Sequence, residues 1–183
     1  SNAVLSKDDD GNWTIIGDPT EGALVVAAQK GGVVKGLNEK DTKRINERPF
    51  DSDTQYMAVL TKDKDGNALL SVKGAPSAIL NRCDTHVKGG ETVALEKSDI
   101  DGYLEENKIL AKKGLRVLAL AYKDDPEEQG LEKASEKGLT FLGFAGIFDP
   151  PRNDVQTSIR DAQKAGIRIL MITGDQPDTA RTI

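Results

Sequence analysis

The apolar positions fall into short runs, some alternating and some continuous, separated by turns rich in glycine, proline and aspartate. "WTIIG" at 13–17 predicts a short strand. "GALVVAAQK" after it has apolar residues at helical spacing and predicts a helix over 19–30, ended by Gly31 or Gly32. Strands are predicted at "KRINERPF", "YMAVLTKD" and "ALLSVKG", the last two forming a hairpin with Asp65-Gly66 at its tip. Pro76 opens a short helix through "SAILNRC". A longer amphipathic helix spans 98–114, with Ser98 as its cap, Ile100, Leu104, Leu110 and Ala111 on its apolar side and Gly114 as its stop. "LRVLALAYK" and "LTFLGFAGIF" read as long strands on either side of a charged helical stretch, "PEEQGLEKASEK".

After Asp149 the pattern changes. "PPRNDVQTSIRDAQKAG" predicts a helix, "IRILMIT" a wholly apolar strand and "GDQPDTARTI" the start of another helix, an order typical of parallel α/β architecture. The expected fold class is therefore α+β: a mostly antiparallel sheet flanked by helices, followed by a C-terminal α/β segment. We place the boundary at "DPPR", whose two prolines make a stiff connector. This gives residues 4–148 as the main domain and 149–183 as a hinge with part of a second. The leading "SNA" (1–3) reads as a tag remnant, and the whole chain as an excised piece.

Composition narrows the function. The 183 residues carry 25 Lys and Arg against 30 Asp and Glu, a formal charge of −5, which disfavours nucleic acid and direct contact with an anionic membrane. A single cysteine, Cys83, excludes an internal disulfide, and with His86 as the only other soft ligand a structural zinc site is implausible. "GGVVKGLN" has the glycines of a phosphate loop but lacks the lysine and hydroxyl that must follow them. "DDDGN" (8–12) lacks the glutamate that closes a calcium loop, and "DKDGN" (63–67) sits at a hairpin tip.

Four pieces carry chemistry. "GDPTEGAL" combines a helix start, with Asp18 as N-cap and Pro19 at the first helical position, with a carboxylate, Glu21. Glu21 either closes a capping box onto Asp18 or faces a ligand. "RPFDSD" places Phe50 at a strand's end, before a turn containing Ser52 and Gln55. "VKGAP" ends an apolar strand with Lys73 and Gly74, and "GLRVLALA" interrupts one with Arg116. Singly these read as core or solvated residues. Together they offer a purine nucleotide a stacking ring, a carboxylate for an exocyclic amine and two cations for ribose and phosphates.

In this order, "DPTEGAL", "PFDSD", "VKGAP", "GLRVLALA", "DPPR" and "TGD" closely resemble the nucleotide-binding domain of type II, calcium-pump-like P-type cation-transporting ATPases, over nearly the whole chain. The resemblance implies Glu21 as a purine contact, Phe50 as the stacking ring, Lys73 deep in the adenine pocket and Arg116 near ribose and phosphates. Ser52, Gln55 and Gly74 complete the nucleotide set. Asp149 to Arg152 would form the hinge, and Thr173, Gly174 and Asp175 would approach the terminal phosphate.

Two departures stand out: Gln55 where relatives often carry lysine, which weakens phosphate attraction, and Ser77 where many carry glutamate. The family's "DKTGT" aspartate and "GDGVND" metal motif do not occur in this sequence. The chain is expected to bind ATP or ADP, with Mg2+ accompanying ATP, and not to turn it over. Its partners would be the phosphorylation, actuator and transmembrane parts of a parent pump, with the module on the cytosolic side of a membrane, expected to be a bacterial plasma membrane. The alternatives are a haloacid-dehalogenase-like phosphatase with a cap domain and an acidic protein-interaction domain.

Overall fold

The computed structural model describes residues 1–33, 42–126, 130–148 and 154–172. A two-stranded ribbon, β1 (Val4–Lys7) antiparallel to β2 (Trp13–Ile16), leads into helix α1 (Pro19–Lys30). The main sheet follows: β3 (Thr42–Asp51), β4 (Tyr56–Asp63), β5 (Ala68–Gly74), helix α2 (Pro76–Leu80), β6 (Cys83–Lys88), β7 (Glu91–Ala94), helix α3 (Lys97–Lys112), β8 (Arg116–Asp124), helix α4 (Leu131–Glu136) and β9 (Leu139–Ile147). Helix α5 (Val155–Lys164) comes last. The seven strands lie in the order β3-β4-β5-β8-β9-β6-β7, antiparallel throughout except for β6 beside β9.

Strand alternation sorts the sheet into two faces. Tyr56 and Ala58, Leu70 and Val72, Ala119 and Ala121 turn to one side and form the buried core with Ile79 and Leu80 of α2 and Leu131 and Ala134 of α4. Ile100, Tyr103 and Leu104 of α3 pack on the same cluster. The opposite face carries the row Met57, Lys73 and Leu120, in register across β4, β5 and β8. Against α1, Gly22 is buried, and a Cβ there would stand 2.5 Å from Cγ2 of Ile15, so only glycine lets the helix sit this close to β2. The helix ends in a Schellman turn: Gly32, at φ 83°, donates to Gln29 O at 3.0 Å, and the Val33 N–H to Ala28 O at 2.9 Å.

The structure departs from expectation at several elements. β1, β6 and β7 are additional strands; β6 and β7 form a hairpin through Gly89 and Gly90, both at positive φ. α2 ends at Leu80, because Cys83 belongs to the next strand. α3 is capped by Glu96 rather than Ser98: the Glu96 N–H donates to the Asp99 carboxylate at 3.1 Å, so the helix starts earlier than expected. Residues 167–172 of "IRILMIT" form no ladder, and Ile172 is 95% exposed. A buried parallel strand requires neighbouring strands and a covered face, and this segment has neither among the described residues.

Candidate functional site

The first turn of α1 answers the question of Glu21. Asp18 Oδ1 accepts the Glu21 N–H at 3.1 Å, capping the helix as expected. The Glu21 side chain does not return to the Asp18 N–H. Its Oε1 pairs with the Lys73 ammonium, and its Oε2 accepts the Asn2 N–H at 2.7 Å. Only 13% of the Glu21 side chain and 19% of the Lys73 side chain are exposed, so the pair sits largely out of water. Burial alone would raise the Glu21 carboxyl, but the hydrogen bonds from Lys73 and Asn2 and the Lys73 charge outweigh it and hold the group below its ordinary range. Glu21 is therefore an anion, and an acceptor, at neutral pH.

Residues 1–3, read as a tag remnant, lie against this turn. Ser1 Oγ donates to the Glu21 carbonyl at 3.0 Å, Asn2 also bonds Glu47 and Arg44, and Ala3 is fully buried.

Arg116 lies on the same sheet face as Lys73, since Lys73 opposes Leu120 and two steps of alternation lead from Leu120 to Arg116. Its Nη1 donates to Thr20 Oγ1 at 3.4 Å, a long contact. Successive residues of one helical turn, Thr20 and Glu21, thus touch cations from two adjacent strands. Reasoning from the sequence misses Thr20, although it stands beside Glu21 in "DPTE".

Phe50 enters through an irregularity. The β3–β4 register runs Arg48 to Ala58 and then Asp51 to Tyr56, so Pro49 and Phe50 together oppose Met57, the cross-strand partner of Lys73. This is a β-bulge, a device that redirects side chains beside sites. Phe50 is 62% exposed, which removes the core explanation for it. At the usual strand spacing it stands two strands, about 10 Å, from Lys73.

The turn after it is tightly bonded. Asp51 Oδ1 accepts the N–H groups of Asp53 and Thr54 at 3.1 and 2.8 Å and the Thr54 hydroxyl at 3.0 Å. These bonds, led by the Thr54 N–H, hold the Asp51 carboxyl below its usual range. Gln55 is left-handed at φ 59°, and its carbonyl accepts the Ala75 N–H at 3.0 Å. Ser52 and Gln55 are both exposed on this turn. A Cβ on Gly74 would collide with the Gln55 carbonyl, so Gly74 admits this turn against β5.

Other candidate groups lie elsewhere. Cys83 is buried, donates to Ile79 O at 3.2 Å and has its thiol pushed up to about 12 by burial, so it is unreactive. His86, 1% exposed, bonds the Tyr103 hydroxyl at 2.8 Å on the α3 side of the sheet. "DDDGN" and "DKDGN" fold alike: Oδ1 of Asp8 and of Asp63 each accepts N–H groups from residues two and four further on, closing a tight turn. Asp149, Arg152, Thr173, Gly174 and Asp175 lie outside the described residues.

Residues 1–154 match the family described as P-type ATPase, cytoplasmic domain N. The chain belongs to that family. The chain is 38% identical over 179 residues to a calcium-transporting ATPase of Bacillus subtilis, covering 95% of this chain and 20% of the relative. It is 38% identical over 175 residues to the human calcium-transporting ATPase type 2C member 1, covering 94% of this chain and 18% of that protein. It is also 36% identical over 185 residues to a sodium/potassium exporting P-type ATPase of Schizosaccharomyces pombe, covering 99% of this chain and 18% of the relative. The chain therefore spans about a fifth of the length of the relatives it matches. Among the described residues, no helix of this N domain is long and apolar enough to cross a membrane.

Proposed function

We propose that this N domain binds ATP and presents its terminal phosphate to an aspartate outside the chain, within a cation pump. One observation carries the reading: a single turn of α1 engages Lys73 and touches Arg116 on one sheet face, beside a bulge that exposes Phe50. In this reading Phe50 stacks on the purine and Glu21 accepts the exocyclic amine. Lys73 donates to a ring nitrogen, and Arg116 faces ribose and phosphates. Ser52 and Gln55, exposed on the turn beside the ring, border the same space, and Gly74 seats that turn against the end of β5.

Magnesium would travel with the phosphates. The hinge would be Asp149 to Arg152, and Thr173, Gly174 and Asp175 would meet the terminal phosphate on closure. The parent would be an integral membrane pump, placed here in a bacterial plasma membrane, with phosphorylation, actuator and transmembrane parts as partners. Calcium is the favoured cargo, since the Bacillus subtilis and human relatives carry that name. The sodium/potassium exporter at 36% identity supports the view that this domain does not select the ion.

Titration with ATP, ADP and GTP tests the reading. Saturable adenine-nucleotide binding is expected in the sub-millimolar to millimolar range, about −4 to −5.5 kcal/mol. GTP should bind more weakly, because guanine turns a carbonyl oxygen where adenine turns an amine, and Glu21 has no proton to share with it. Phe50→Ala should weaken ATP by about 5- to 150-fold, the worth of one stacked base, with unfolding unchanged. No saturation at several millimolar ATP would overturn it.

A further inference from the structure

The turn that carries Phe50, Ser52 and Gln55 is tied to the opposite side of the sheet by residues that no nucleotide would touch. Arg48 shares the core-side face with Ala58 and Tyr56. Its Nη2 donates to Thr54 Oγ1 at 3.1 Å, and the Thr54 hydroxyl in turn donates to Asp51 Oδ1 at 3.0 Å. A hydroxyl has one proton to give, so the direction of this chain is fixed: Arg48 to Thr54 to Asp51. The guanidinium lies over the Tyr56 ring, its carbon 4.3 Å from the centroid, and Arg82 covers the ring at 4.4 Å. Tyr56 is 1% exposed and its hydroxyl bonds Ser135 at 3.0 Å; Ser135 itself donates to Glu132 O within α4 at 2.8 Å. The path runs without a break from the buried side of α4, through the Tyr56–Arg48 stack, to the carboxylate that organises the turn.

We propose that Arg48 is a positioning residue for the nucleotide site: through Thr54 and Asp51 it fixes the bulge and turn that aim the Phe50 ring. This rests on the reading of Phe50 as the stacking platform. Arg48 does not face the ligand; it sets the pose of the side chain that does. A ring held in one pose loses less freedom when a base stacks on it. The planar guanidinium can stack on Tyr56 and donate edgewise to Thr54 at once, which lysine cannot do.

Two variants break the same hydrogen bond from its two ends: Arg48→Met keeps the stem over Tyr56, and Thr54→Val keeps the shape of the turn. Each should weaken ATP, ADP and adenosine alike, by about three- to tenfold, since the action is on the base and not on phosphate. Amide exchange of Asp53, Thr54 and Gln55, measured without nucleotide, should speed up in both. In a Phe50→Ala background neither variant should weaken ATP further; a merely structural role would give the same loss with or without the ring. Unchanged amide exchange, or a loss of equal size when Phe50 is absent, overturns the positioning role. If wild-type chain binds ATP but Phe50→Ala costs nothing, the stacking reading fails instead, and the exchange data still show whether Arg48 orders the turn.

Discussion

At the scale of single residues, the Glu21–Lys73 pair ties α1 to β5 at the proposed nucleotide site. The pair is largely buried, so each charge is tolerated because the other is there. Glu21→Gln or Lys73→Met alone should lower stability by about 1–3 kcal/mol, between an exposed pair and a fully buried one. Combining them should recover most of that loss in denaturant unfolding, since no unpaired charge remains. ATP binding should be weakened in all three. A double variant that binds ATP like the wild type would show the pair to be structural only. The pair also sets an acid limit. The Glu21 carboxyl is held below its ordinary value of 4.5, so the stability it contributes is fully present above that pH and is lost as pH falls through the lower folded value. Glu21→Gln should flatten that part of the acid unfolding curve, and an unchanged curve would contradict the assignment.

At the scale of elements, the turn between β3 and β4 and the end of β5 form one unit, and Gly74 is where they meet. Gly74→Ala forces a methyl against the Gln55 carbonyl and to 2.7 Å from Tyr56 Cβ, so it should cost about 1–3 kcal/mol and displace the turn that bears Gln55. Gly102 on α3 is the contrast, because a methyl added there would meet nothing within 4 Å: Gly102→Ala should stabilise by about 0.5–1 kcal/mol. Equal effects of the two on unfolding would show that close approach is not what requires glycine at 74.

Legibility follows the same lines. The candidate site residues are readable because each sits beside a local signal: a proline-led helix start, a strand end, or a charge inside an apolar strand. The strands that escape a sequence reading, β1, β6 and β7, are short, and β7 is wholly exposed, so no apolar alternation marks it. Gly89-Gly90 is a hairpin signal that the sequence does carry. The Glu21 rotamer and the path from Arg48 to Asp51 depend on contacts across strands and helices, which spacing along the chain does not encode.

At the scale of the whole molecule, every residue of the described core cluster, and every described candidate for the nucleotide site, lies before residue 149. α5 buries no residue, and Leu170, Met171 and Ile172 are 72, 62 and 95% exposed. Such a run of exposed apolar side chains favours self-association, and no described residue after 148 belongs to the core cluster. A chain ending at Phe148 should therefore unfold as cooperatively as the full chain, with stability changed by less than about 0.5 kcal/mol. It should keep its ATP affinity and remain monomeric at concentrations where the full chain associates. Calorimetry, nucleotide titration and light scattering on the two chains decide the matter. A loss of cooperative unfolding would place part of the sheet's support beyond the "DPPR" boundary. A loss of ATP affinity with unfolding intact would instead bring residues after 148 into the nucleotide site itself, moving the terminal-phosphate contacts from a closed state of the pump into this isolated domain.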